Sequence, residues 1–316
     1  MLLHSVAVQN QDPASDAVLS FDLGTHPLSV ILINIRVLND TGTSANFTSW
    51  LETLQSINRI SVRHRGESIV SMNGLDAATL ALFRHGAVPW MPNGSLTNND
   101  RIVATLPIFM GRRAYDMESI FPASRRGELV LELDVDVADT GYDDLQFTVE
   151  TIEILDARPK EYERKVQIAQ TFSATGINDI DIQLGNLVRG LHLFQTTAFT
   201  GGSPAPTLGR VQLIADGIGV GYASTDIEIL HGLPGLMGRQ IPPYNGHIHV
   251  ETDTGGPTEL PSEVGTLFAN HAFMDLDPLG DDAHSIDATN ISRLQLRCDA
   301  EASNAVRVIP IERIRV

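Results

Sequence analysis

Hydrophobic positions along this chain recur mostly at every second residue. Glu128–Val137 reads Glu-Leu-Val-Leu-Glu-Leu-Asp-Val-Asp-Val. Apart from Val130, its leucines and valines fall on one side of an extended strand and its acids on the other. Arg59–His64 and Gln146–Leu155 alternate in the same way, and Leu28–Leu38 is a longer β-branched run closed by Asn39-Asp40-Thr41-Gly42. Arg101–Phe109 carries Pro107, which predicts an edge strand or a bend. Further strands are expected at Ile180–Leu184, Leu187–Phe194, Gly209–Ala215, Asp226–Leu230, His247–Glu251, Ser292–Cys298 and Ala305–Arg315. Gly, Asn, Asp and Pro punctuate these runs as turn residues. Helical spacing is confined to two short segments. Ser49-Trp-Leu-Glu52 has the form of a capping box ahead of Leu54 and Ile57, and Leu75–Phe83 is followed by Gly86, placed to end a helix.

The pattern repeats. Ser20–Gly24 followed by Ser29–Ile33 corresponds to Asp181–Gly185 followed by Gly190–Phe194. Leu106–Met110 corresponds to Asn270–Met274, Leu129–Asp136 to Leu294–Glu301, and the long strands Phe147–Leu155 and Val306–Val316 close the two halves. The offset stays near 160 residues throughout, which marks a duplicated unit. Asp156–Lys165 is the most charged linker, contains Pro159 and reads as exposed. It divides the chain into residues 1–157 and 158–316. Eight or so strands in each half, with few helices, argue against a doubly wound parallel sheet. The fold class is all-β: two tandem eight-stranded jelly-roll sandwiches with short helical insertions.

Charge narrows the function classes. Against 22 lysines and arginines stand 39 acids, for a net charge of −17. Of these, 10 basic and 20 acidic residues precede Ala157, so the acidity is no tail. Such a surface repels phosphate backbones, which argues against nucleic-acid binding. Cys298 is the sole cysteine, so no internal disulfide exists; its phase with Leu294 and Leu296 predicts a buried core position. The first residues have no signal-peptide pattern, and no stretch approaches the roughly 18 apolar residues needed to span a bilayer. The four Asn-x-Ser/Thr matches, at Asn39, Asn46, Asn93 and Asn290, are expected to be chance.

Few residues have the pattern of a reactive site. His247 and His249 lie on one side of a strand, with Glu251 on the same face and His271 able to approach from a neighbouring strand. Two histidines and a carboxylate are the donor set of cupin metal sites. The glycine expected six residues before the first histidine is Ile241, and Asp253 fits the carboxylate position better than Glu251. Asp275, Asp277, Asp281 and Asp282 with His284 form an acidic loop whose oxygens suit calcium, without the spacing or glycine of an EF-hand. Arg112-Arg113 and Arg125-Arg126 flank Asp116 and Glu118 and are expected to form salt bridges between subunits. No phosphate-binding loop, nucleophile elbow or His-Glu-x-x-His motif is present. No catalytic residue is assigned.

Taken in order, Phe21–Gly24 entering the strand Leu28–Leu38, Ile60–Gly66 followed by Met72–Leu80, Leu106–Phe109, and Asp181–Asn186 running into Leu191–Phe194 resemble the double jelly-roll major capsid proteins of tailless icosahedral viruses, many of which enclose a membrane. The likeness runs from about Val18 to Val316. The resemblance implies a virion structural protein, not an enzyme. It implies homotrimers of pseudo-hexagonal outline that tile a facet with neighbouring capsomers, alongside penton and minor capsid proteins, with the inner end facing a membrane or the genome. Residues 87–100, 112–126, 231–246 and 252–263 would then be outer or inter-subunit loops. No cofactor is implied beyond calcium at a subunit contact. Two alternatives remain: a cupin-like metalloenzyme using His247, His249 and His271, and a carbohydrate-binding sandwich, which the 6% aromatic content disfavours.

Overall fold

In a computed structural model of the chain the described residues are 1–13, 15–39, 50–86, 101–137, 142–196, 207–236, 247–248, 260–261 and 270–316. The first half contains β1 (Leu2–Gln11), β2 (Ala17–Asp22), β3 (Leu28–Asn39), α1 (Trp50–Gln55), β4 (Ile57–His64), β5 (Glu67–Met72), α2 (Gly74–His85), β6 (Arg101–Phe109), β7 (Leu129–Val135) and β8 (Tyr142–Ile154). After it come β9 (Glu161–Val166), β10 (Ile168–Thr171), β11 (Gly176–Ile182), β12 (Leu187–Gln195), β13 (Leu208–Ala215), β14 (Ile218–Gly219), β15 (Thr225–Asp226) and α3 (Ile227–Leu236). The chain ends with β16 (His247–Ile248), β17 (Leu260–Pro261), β18 (His271–Asp275), β19 (Ile286–Asp287), β20 (Leu294–Ala300) and β21 (Ala305–Arg315).

Two sandwiches result, and their strand orders match. In the first, a sheet in the order β1-β8-β3-β6 faces one in the order β2-β7-β4-β5. In the second, β10, β21, β12 and β18 lie side by side and face β11-β20-β13-β14. Each is the jelly-roll order, with the last strand of the unit paired to its first. Strands paired by the sequence repeat occupy equivalent places: β3 with β12, β7 with β20, β8 with β21. The correspondence extends to one turn. Arg65-Gly66 joins β4 to β5 and Asp216-Gly217 joins β13 to β14, each a two-residue hairpin with both residues at positive φ (52° and 84°, 48° and 83°). That is the turn whose twist suits paired strands, and the second position takes glycine for lack of a Cβ.

Period-two burial follows the sequence. β7 alternates buried and half-buried at every residue, and its inward Leu129, Leu131, Leu133 and Val135 join Phe21, Ile31, Ile33, Phe147 and Val149 in the first core. Val188, Leu191, Leu193, Val211, Leu213, Leu296 and Cys298 belong to the second. Burial pushes the Cys298 thiol up to about 12, so it is packing material and no nucleophile. Pro107 lies on β6, an edge strand as expected.

Two expectations change, and a third is described only in part. Asp226–Leu230 is no strand: apart from Asp226 it opens α3, where Ile227 and Leu230 are buried and Ile229 is 53% exposed. Burial at i and i+3 is helical spacing, which a short Ile-Glu-Ile-Leu run disguises as alternation. Only His247–Ile248 of the expected strand His247–Glu251 is described, paired with β17; His249, Glu251 and Asp253 lie outside the described residues. The charged segment Asp156–Lys165 becomes strand from Glu161 onward. β9 pairs antiparallel with β21 and parallel with β5, so one ten-stranded sheet runs from the second sandwich into the first. β9 and β10 keep one register against β21 (Lys165 opposite Ile311, Ile168 opposite Val308). Between them, Gln167 donates its N–H to Ser71 of β5 at 2.9 Å. A single extended strand thus serves both units.

α2 lies against this seam and is buried at nine of its twelve positions. Asn73 caps it, accepting the Asp76 N–H at 2.7 Å, and Gly86 (φ 64°) closes it by donating to Ala81 and Leu82. Among the described residues no helix is long and apolar enough to cross a membrane. Replacing Asn73 by alanine leaves an N-terminal amide unpaired and is expected to cost about 1 kcal/mol, read from the urea midpoint.

Candidate functional site

The densest polar chemistry lies at the junction of the two sandwiches, in two neighbouring clusters. The first surrounds Glu163 on β9, which has no solvent exposure. Arg84 at the end of α2 makes a bidentate pair with it, the Nη2–Oε1 bond being 2.9 Å. Lys165 stands 3.0 Å from Oε2 and donates to the Phe109 carbonyl at 2.6 Å. Arg189 of β12 reaches Oε1 at 3.4 Å, bonds Glu161, and donates Nε to Asp282 at 2.7 Å. Arg112 and Arg313 also pair with Asp282, and Arg112 stands 3.2 Å from Asp277.

Electrostatics explain why these charges stay ionised. Burial pushes the Glu163 carboxyl upward, but Arg84, Lys165 and Arg189 outweigh it and hold the group well below the usual carboxylate range. Burial also opposes ionisation of Asp282, yet the guanidiniums of Arg189 and Arg112 bring it to about 2. Asp277 moves the other way, raised chiefly by burial.

The second cluster is built on Asp76, in the first turn of α2. Arg307 of β21 grips both its oxygens at 2.8 Å while lying 3.4 Å over the Phe194 ring. His271 of β18 bonds Oδ1 at 3.0 Å. The His271 ring stacks on His192 of β12, with centroids 5.3 Å apart. Phe83 of α2 stacks on Phe273 of β18 and seals the apolar side.

Asp76, His192 and His271 converge closely enough to suggest a metal site. The charges do not suit one. Arg307 already neutralises Asp76, so a divalent ion would leave two uncompensated charges in a buried site. The acidic loop is similar. Asp275 Oδ1 accepts the Asp277 N–H at 3.0 Å, Asp277 Oδ1 accepts the Asp282 N–H at 2.8 Å, and exposed Asp281 caps Ala283. Asp277 and Asp282 also face arginines, and among the described residues no three of these carboxylates bring their oxygens together. Of the metal candidates read from sequence, His271 lies at the junction, and Asp275 and Asp277 accept backbone N–H groups within their loop. No side-chain geometry is described for His247.

Arg112 departs from its expected role, because its partners are Asp277, Asp282 and the Gly280 carbonyl of the same chain. Glu118 pairs with Lys160 at 2.6 Å. Asp76, Arg84, Glu163, Arg189, His192 and Arg307 were not singled out from sequence. The one available signal was a charged residue set among inward-facing apolar ones, as Arg189 and His192 are in Leu187–Phe194.

The fold is a double jelly roll, the architecture of viral major capsid proteins. It is similar to the structure of the major capsid protein P2 from bacteriophage PM2, with 12% identity, a TM-score of 0.64, and coverage of 100% of this chain and 98% of that one. The major capsid protein of Sulfolobus turreted icosahedral virus matches with 10% identity and a TM-score of 0.71, covering 100% and 97%. A capsid model of the virus PBCV-1 matches with 11% identity and a TM-score of 0.60, covering 99% and 94%. No family model and no curated protein matches.

Replacing Glu163 by glutamine removes the counter-charge shared by Arg84 and Lys165, while Arg189 keeps Glu161 and Asp282, and is expected to destabilise the protein by about 3–5 kcal/mol in denaturant titration. Glu163, Asp76 and Asp282 all have lowered values in the folded state. Their contribution is complete above about pH 4 and declines as pH falls below it, which a melting series from pH 5 to pH 2 will show.

Proposed function

We propose that this chain is a major capsid protein that assembles into homotrimeric, pseudo-hexagonal capsomers and acts in the virion, with no catalytic role. The observation that carries the reading is the pair of like-ordered sandwiches joined through one sheet. Two similar units per chain let a three-fold oligomer present six similar bodies, and six bodies fill a hexagonal site on a facet. The capsid proteins that share the fold support the same role. Its partners on this reading are sister copies, neighbouring capsomers, and penton and minor capsid proteins, and the units divide at residues 157 and 158. For the cupin-like alternative on His247, His249 and His271, the bond of His271 to Asp76 is the one observation that weighs against it.

One end of the molecule, formed by described residues, bears on orientation. Residues 23–27, 65–66, 110–128, 183–186, 216–217 and 276–293 are tied to one another or to the 155–160 segment, and both termini join them. Bonds of this kind link Ser124 to Thr25, Arg65 to Glu128, Gly185 to Ala288, Asp216 to Arg293, Leu155 to Met1 and Val316 to Lys160. Arg112 bridges to Gly280. Exposed apolar side chains here include Met1, Tyr115, Met117, Ile218, Leu279 and Val316. A near-neutral, apolar-studded end on a chain of net charge −17 suits the inner side of a shell, against a membrane.

Sedimentation velocity with negative-stain microscopy of the purified chain tests the proposal. Particles of three chain masses with hexagonal outlines are expected; strict monomers at high concentration would contradict it.

A further inference from the structure

We propose that the junction between the two sandwiches is a proton-sensitive latch, in which protonation of His192 opens the contact of α2 with β12, β18 and β21 while each sandwich keeps its own core. The inference starts from a hydrogen-bond count. His192 is fully buried, and its Nε2 lies 3.1 Å from Thr79 Oγ1. The Thr79 hydroxyl has two backbone carbonyls within donating distance, those of Leu75 at 2.8 Å and Asp76 at 3.1 Å, and a hydrogen given to them leaves its oxygen as acceptor. Thr79 therefore accepts from His192, which places the ring hydrogen on Nε2 and a lone pair on Nδ1. That Nδ1 is buried without a partner.

A neutral ring tolerates this position; a charged one does not. A proton on Nδ1 would create a buried N–H without an acceptor and place a cation among fixed charges. Every packed element contributes a group. α2 presents Asp76, Thr79 and Phe83; β18 presents His271 and Phe273; β21 presents Arg307 and, opposite His192 in register, Ile309. Of the charged groups, Asp76 is already paired bidentately with Arg307, so it offers no spare counter-charge. Burial, with His271 and Arg307 adding to it and Asp76 only partly offsetting it, brings His192 down to about 3 from 6.5.

The sign follows from that lowering. A group held neutral in the closed state favours closure above its free value and loses that advantage as pH falls. Between pH 6.5 and 3, each unit shifts the balance up to tenfold toward the open form. Asp76 and Glu163 remain ionised over most of this range, so the opening precedes loss of their pairs.

Hydrogen exchange read by mass spectrometry, corrected for the intrinsic pH dependence of exchange, tests the latch. Protection of α2 (residues 74–85) is expected to fall by up to tenfold per unit from pH 6.5 to 4.5, while β3, β7, β13 and β20 hold theirs. His192→Gln retains a donor for Thr79 without a titrating ring, and α2 should then be insensitive to pH over this range. An unchanged pH response in that variant, or simultaneous loss in all strands, would overturn the proposal. Should the variant misfold, the wild-type imidazole decides the matter by NMR. A neutral His192 with hydrogen on Nε2 at pH 5 is expected in the closed protein; a doubly protonated ring there would refute it.

Discussion

Glu163 has no contact with solvent, and an ionised carboxylate in that position costs several kcal/mol unless cations surround it. Arg84 comes from a helix of the first half, Arg189 from the second, and Lys165 from the shared strand itself. The condition that keeps the charge tolerable is therefore the condition that holds two sandwiches side by side. Apolar contacts alone would allow the units to slide. Bidentate pairs fix distance and angle, and the ladder of β9 between β5 and β21 fixes register.

This arrangement explains what the sequence made legible and what it concealed. Strands that face a core on one side and water on the other, such as β7, declare themselves by strict alternation. Their repetition at a constant offset revealed the duplicated unit and its order of strands. β9 is paired along both edges, to β5 and β21, and carries Glu-Tyr-Glu-Arg-Lys, a composition that normally marks a solvated linker. Its charges are inside because partners await them, and those partners come from distant parts of the chain. The Arg84–Glu163 pair spans 79 residues and the His271–Asp76 pair 195. His271 drew notice for its chemistry, yet nothing near it in sequence points to Asp76, Arg307 or His192. Candidate sites assembled from single residues of remote strands carry no local signature, whereas packing patterns do.

The structure also separates rigidity from contact-making. The sheets and α2 form a continuous buried framework in which Asp76, Glu163, Lys165 and Arg189 are paired. One end gathers short turns, both termini and exposed apolar side chains. A shell subunit needs such a division: a body whose two halves cannot shift relative to each other, and surfaces free to specialise. A proton-sensitive histidine at the same junction would give that body one defined way to yield.

The central claim is that the charged strand makes the two sandwiches a single cooperative body. Differential scanning calorimetry at neutral pH tests it most directly. The account predicts one transition whose calorimetric and van't Hoff enthalpies per chain agree. Two resolved transitions, one for each sandwich, would contradict it.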